Sequence, residues 1–428
     1  MQGGAREYPP APPECDKPGL GASLFFNGTN GGEASISNPR PVPAAVQFVK
    51  AWFKTGQDVQ KISNSPTSTL TLRQSTVLST TMASKAGHTA RCNLELTKLL
   101  LGGADINFEG RKHGTALGEA CARGNLELAK LLLGNGANVD FNGRKHGTAL
   151  QAASAEGRLE LAKLLLETGA DVNVNVDGCT ALHAACAKGR LDIVRLLLER
   201  GADINFDGRE HGTALQAACT RGRLKIARRL LDEGANINVE GRGHGTALQA
   251  ACAKGYLGLT KLLLERGADV NFKERTDVTA LWVACRRGHL GVAKLLLARG
   301  ADVHVEGGVY GTALQAACGT GHLEVAELLL ARGVGINLKD RPDATALWAA
   351  CKGGHLGVVK LLLARGADVH VEGTYGTALQ AACGTGHLKV VELLLERGAD
   401  VNFDGGKHGT ALRAACAGLH FSVTEEQR

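Results

Sequence analysis

The chain has 428 residues, of which 44% are hydrophobic and only 4% aromatic, with 57 glycines against 10 prolines. That is enough apolar material for a sizeable core, and the net charge of +7 is too modest by itself to demand nucleic acid or a membrane surface. No apolar run is long enough to cross a bilayer and the N-terminus has no apolar signal-peptide core, so the sequence predicts an intracellular protein, cytoplasmic or nuclear.

Residues 1–81 are rich in Pro, Gly, Ser and Thr, a composition that predicts a largely disordered segment. Within it, Val46 to Ile62 has the pattern of a short amphipathic helix carrying Phe48, Trp52 and Phe53. On pattern alone, a transient helix outweighs a docking helix there. Residues 82–421 are predicted to form one repeat domain, and 422–428 a tail. Its first unit, 83–107, is degraded: Asn93 to Leu101 makes a good second helix, but Lys85 stands where the first helix needs a core leucine. A capping unit is the plain reading, since terminal repeats need one polar face.

From Thr115 onward a Thr-Ala-Leu triplet recurs at Thr148, Thr180, Thr213, Thr246, Thr279, Thr312, Thr345, Thr377 and Thr410, at spacings of 32 or 33. Such a period signals a repeat array, in which each unit packs only on its neighbours. Each unit is predicted to run turn, helix, turn, helix. Thr148 can cap the first helix, and Gln151 three residues on can complete a capping box. The same Thr-x-x-Gln pair recurs at Thr213, Thr246, Thr312 and Thr377. A glycine such as Gly157 or Gly189 ends the first helix, and a leucine-rich amphipathic second helix follows. Thr410 to Cys416 makes one more first helix, but His420 to Arg428 cannot make its second. This predicts partly uncovered Leu393, Leu394 and Leu395.

The run Thr180 to Gly189, Asp192 to Leu198 and Gly201 to Asn205 resembles a standard repeat of the ankyrin family, and the likeness covers about residues 83 to 421. Tyr310 to Cys318 and Tyr375 to Cys383 are worded like the ankyrin arrays of filamentous fungi. The resemblance implies an all-α solenoid of about ten to eleven helix-turn-helix repeats. It also implies a non-catalytic scaffold that binds a partner protein on its concave surface. Alternatives are the sensor portion of a larger regulator without its effector domain and, ranked lower, nucleic-acid binding through basic residues. The chain departs from the family pattern in having Ala rather than Pro after the Thr, and His183 is the sole histidine at its position. Residues 276–337 and 342–402 look like two copies of a two-repeat block.

Nine of the 12 cysteines occupy one repeat position, from Cys121 to Cys416, with Ser154 in the tenth. Equivalent atoms of stacked helices lie about 8–10 Å apart, too far for a disulfide, which needs Cα atoms within about 7 Å. Reduced core thiols are therefore expected. Cys179, His183 and Cys186 make a lone Cys-x3-His-x2-Cys that lacks a fourth zinc ligand. No catalytic grouping, metal site or phosphate loop stands above the repeat background, so neither a cofactor nor a small-molecule ligand is expected.

In the ankyrin family, hairpin tips and the ends of the first helices usually hold partners. On this chain those positions carry Arg111, Lys112, Arg123, Arg144, Lys145, Lys188, Arg209, Arg221, Arg242, Lys254, Arg275, Arg286 and Arg287, against Glu156, Asp177 and Glu210. The last four repeats supply only Arg341, Lys352 and Lys407. A basic groove that takes an acidic peptide or loop of another protein is one reading; a solvated face is the plainer one, with Glu109, Asp207 and Glu240 placed to neutralise Arg111, Arg209 and Arg242. Trp282 and Trp348 replace the Gln, one in each duplicated block, and are a second candidate anchor. Packing against the neighbouring helix is weighed above that role.

Overall fold

The computed structural model describes residues 94–417, except 99, 102–104, 110–113, 144–146, 209–211, 242–244, 274–277, 306–310, 339–343 and 407–408. The expected disordered segment 1–81, the helix from Val46 to Ile62 and the tail 422–428 lie outside the described residues. Among the described residues nine complete helix pairs follow one another. The first helices are α1 (Ala116–Arg123), α3 (Ala149–Glu156), α5 (Ala181–Lys188), α7 (Ala214–Thr220), α9 (Ala247–Ala253), α11 (Ala280–Arg286), α13 (Ala313–Gly319), α15 (Ala346–Lys352) and α17 (Ala378–Gly384). Their partners are α2 (Leu126–Gly134), α4 (Leu159–Glu167), α6 (Leu191–Glu199), α8 (Leu224–Asp232), α10 (Leu257–Glu265), α12 (Leu290–Ala298), α14 (Leu323–Leu330), α16 (Leu356–Ala364) and α18 (Leu388–Glu396). Residues 94–98, 100–101 and 411–417 are helical as well. Among the described residues there is no strand, and no helix is long and apolar enough to cross a membrane.

The local chemistry follows the sequence pattern. In α3 the Thr148 hydroxyl accepts from the Gln151 amide at 3.2 Å, while Gln151 Oε1 accepts from the Thr148 amide at 2.9 Å. Both halves of the box also form at α7, α9, α13 and α17. Two amides that a helix start would leave unpaired are thereby satisfied. The hairpin Val176–Cys179 turns on Asp177 and Gly178, both with positive φ, as a two-residue hairpin turn of this hand requires.

Packing is nearest-neighbour throughout. Each first helix packs on the next first helix and on its own partner; consecutive second helices touch more sparsely. The cause is side-chain size. The first helices meet through Ala and Cys, as at Ala185, Cys186, Ala218 and Cys219, all fully buried. The second helices meet through Leu, Ile and Val, which hold them farther apart. The first-helix layer is therefore the tight, inner side of the stack.

Three polar devices tie the repeats together. The first is the Gln of the capping box, whose amide reaches into the next hairpin: Gln216 Nε2 donates to the carbonyls of Val239 at 2.8 Å and Gly245 at 2.6 Å. His183 does the same work with a ring, its Nε2 donating to the Gly212 carbonyl at 2.9 Å while Nδ1 accepts from the Thr180 hydroxyl at 2.8 Å. The second device is the residue just before each second helix. From α4 to α18 it makes no side-chain cap of its own helix. Instead Arg190 Nε donates to Ala155 O at 3.1 Å, and His289, His322, His355 and His387 donate through Nε2 to Ala253, Arg286, Gly319 and Lys352. These carbonyls belong to the end of the preceding first helix, where no intrahelical donor is left. The ring also lies flat over the preceding glycine: a Cβ on Gly255 would meet His289 Nδ1 at 2.6 Å, so that position needs Gly for space as well as for its φ of 72°.

The third device is a ladder of Asn and Asp side chains along the loops that follow the second helices. The amides of Asn138, Asp171, Asp203, Asn236, Asp269 and Asp302 donate in turn to Asn107, Asp140, Asn173, Asn205, Asn238 and Asn271. No such bond joins His304 to Gly335, or His370 to Asp400, among the described residues; one link, Asp368 to Asn337 at 3.0 Å, remains between them.

Leu393 and Leu394 are buried, contrary to expectation, and only Leu395 is exposed. α18 is held by α17 and α16, which already cover its inner face.

Candidate recognition surface

The ends of the first helices place six of the expected cations in one row. Arg123 and Lys188 close α1 and α5, Arg221 and Lys254 follow α7 and α9, and Arg286 and Arg287 end α11. All six are exposed. One repeat interrupts the row, where α3 ends in the exposed Glu156. The location has a local rationale too: a cation in the last helical turn complements the negative end of the helix dipole. Arg123 is also engaged locally, its Nε 2.6 Å from Glu119 Oε1 across one helical turn. Past α11 the same positions are Gly319 and Thr320, Lys352 and Gly353, then Gly384 and Thr385. The row is thus a property of the repeats from α1 to α11. The hairpin-tip cations Arg111, Lys112, Arg144, Lys145, Arg209, Arg242 and Arg275 lie outside the described residues, as do Arg341 and Lys407.

The two tryptophans sit differently. Trp282 is 5% exposed, with the Arg286 guanidinium 5.3 Å from its ring centroid. Trp348 is half-buried; Lys352 Nζ lies 5.1 Å from its centroid, and the Tyr375 ring packs against it at 5.7 Å. Each tryptophan and its cation are one helical turn apart, a spacing that stacks side chains on one face. Tyr375 is 37% exposed and enlarges this aromatic surface. Sequence reasoning passed over it because it belongs to the next hairpin, and nothing local links it to Trp348. The Trp348 indole Nε1 is buried without a hydrogen-bond partner; it occupies the place from which Gln elsewhere reaches the next hairpin.

The thiol column is chemically quiet. Ten cysteines are free among the described residues, most of them buried. Burial pushes the Cys121, Cys219, Cys252, Cys285, Cys318 and Cys351 thiols up to about 12, and Cys186 upward as well. Protonated thiols in an apolar layer neither ligate nor attack. Both ring nitrogens of His183 are used in hydrogen bonds, which accounts for the one histidine near Cys179 and Cys186. Among the described residues no group of three or more His, Cys, Asp or Glu is placed to hold a metal ion.

Comparison with known proteins agrees with this architecture. A family model described as ankyrin repeats (3 copies) matches residues 83–176, 173–241, 239–307 and 304–373, and the single ankyrin repeat model matches 376–405. Among solved structures, the human ASB11 ankyrin repeat domain is 28% identical; the match covers 51% of this chain and 98% of that one, at a TM-score of 0.46. A search of curated proteins finds no match. Ankyrin repeats generally mediate protein–protein interaction and are typically non-catalytic. The helix pairs, the hairpins between them and the matches from residue 83 to 405 together place this chain in the ankyrin-repeat family.

Proposed function

We propose that the chain is a non-catalytic intracellular scaffold that binds an acidic peptide or loop of a partner protein along the first-helix side of the stack. The single observation that carries this reading is the cation row at the ends of α1, α5, α7, α9 and α11, set on the tight inner layer and absent as a row beyond α11. A rigid face of this kind pays little ordering cost on binding and attracts carboxylates at long range. The sequence of the same repeats carries further cations, from Arg111 to Arg275. The free, protonated cysteine column suits a reducing compartment.

A glutamate-rich peptide tests it. Affinity should fall steeply as salt rises, and the triple variant Arg221→Glu, Lys254→Glu, Arg287→Glu should lose at least about tenfold, equivalent to about 1.4 kcal/mol. Unchanged binding in the triple variant rules the reading out. Equal or tighter binding of random DNA would move the assignment to nucleic acid.

A further inference from the structure

Each second helix from α2 to α18 opens on a leucine. In α10 and α12 the next residue is a glycine. A Cβ added to Gly258 or Gly291 would meet nothing beyond its own helix nearer than Leu224 Cδ2 or Leu257 Cδ2, both at 3.9 Å. The second position of one helix thus faces the opening leucine of the helix before it. Where a side chain stands there, as Lys225 does after Leu191 and Glu324 after Leu290, that leucine is half-buried. Where Gly258 and Gly291 stand there, Leu224 is 38% and Leu257 49% exposed. The fold does not ask for either glycine: neither has positive φ, and the space around both is open. Glycine inside a helix only weakens it. What these two residues do is open apolar notches on the surface.

The two notches lie among the helix-end cations. Arg221 stands three residues before Leu224 and Lys254 three before Leu257. Three residues span at most about 10 Å, and here they are folded into a tight turn, with the Leu224 amide 3.0 Å from Gly222 O and the Leu257 amide 2.9 Å from Gly255 O. Each turn therefore shows a cation and an exposed leucine side by side. The first turns of α8, α10 and α12 have no side-chain cap, which also favours a carboxylate there. Gly357 uncovers Leu323 in the same way, but there Gly319 and Thr320 end the first helix and bring no charge. We propose that Leu224 and Leu257, with the notches at Gly258 and Gly291, take the apolar side chains of an acidic amphipathic helix of the partner protein, whose carboxylates meet Arg221, Lys254 and Arg287. This rests on the acidic-partner reading above and adds what the partner carries besides charge. The register fits: stacked helices repeat every 8–10 Å or so, and seven residues of helix rise about 10.5 Å. Apolar residues seven apart therefore reach successive notches.

The test is a fluorescence-anisotropy titration of the full-length chain with two labelled, glutamate-rich helical peptides of equal length and charge. One carries leucine at every seventh position and the other glutamine. The leucine peptide should bind at least about tenfold more tightly. In the double variant Gly258→Gln, Gly291→Gln, side chains fill the notches. That variant should bind the leucine peptide no better than the glutamine peptide, while its affinity for the glutamine peptide stays that of wild type. It should also melt no lower than wild type, because a helical glycine has been replaced in open space, so lost binding there is not lost fold. A second variant, Leu224→Gln with Leu257→Gln, changes only exposed side chains and should abolish the preference in the same way. If wild type binds the leucine peptide no more tightly than the glutamine peptide, the proposal is overturned and the acidic-partner reading stands. If it binds neither peptide, both fall. A leucine preference that survives in the two variants overturns the placement at these notches.

Discussion

The repeats from α1 to α12 and those from α13 to α18 share one core and differ at their edges. In the first group the Asn/Asp ladder runs unbroken from Asn107 to Asp302; in the second, His304 and His370 stand where the acceptor Asn would be, and two links are lost. The inner ends of the first helices carry cations in the first group and mostly Gly or Thr in the second. The residue latching a second helix to the preceding repeat is Arg at 190 and 223 and His at 289 in the first group, and His at 322, 355 and 387 throughout the second. The lesson is that the buried Leu, Ala and Cys set the fold, while the edges are free to diverge toward binding or toward looser coupling.

The largest effect should fall on the shared core. Leu248→Ala and Leu347→Ala remove equivalent, fully buried side chains, and each should cost about 2–5 kcal/mol in urea unfolding. A much smaller loss at Leu347 would break the claim that the two groups share one core. Next, Gln216→Ala strips the Thr213 amide and two carbonyls of their partner; a loss of about 2–3 kcal/mol is expected from stranded buried groups. Trp348→Gln should change stability by less than about 1 kcal/mol, since Gln at that position can rebuild the hairpin bridge. Collapse of the fold in that variant would show that Trp348 is chiefly a packing element.

Alkaline pH sharpens the comparison across the thiol column. The folded thiols titrate near 12, the unfolded ones near 9.0. Deprotonation therefore favours the unfolded state first: stability is whole below pH 9 and falls as pH rises from 9 to 12. Cys219→Ala should flatten that slope in a pH series of melts. Ser154 breaks the column with a buried hydroxyl that has no partner, so Ser154→Ala should stabilise by about 1 kcal/mol. The smallest effect is at the surface. Removing the Glu119–Arg123 pair with Arg123→Ala should cost less than about 0.5 kcal/mol.

Much of this was legible in the sequence because it is periodic. Thr148 and Gln151 announced their capping box, and the 33-residue recurrence announced the stack. What escaped were contacts between repeats. That Arg190 or His289 would serve the preceding helix rather than cap its own cannot be read from spacing, because both roles use the same position. The Trp348–Tyr375 pairing hid for the same reason. Of the candidate surface, the row at the helix ends follows from register alone, since Lys188 and Lys254 hold equivalent places in their repeats.

The most direct test of the division between the two groups is hydrogen exchange on the full-length chain, with and without a glutamate-rich peptide. The account predicts added protection at the first helices α5, α7, α9 and α11 and none at α13 to α18. Protection confined to α13 to α18, or spread evenly along the stack, would contradict it.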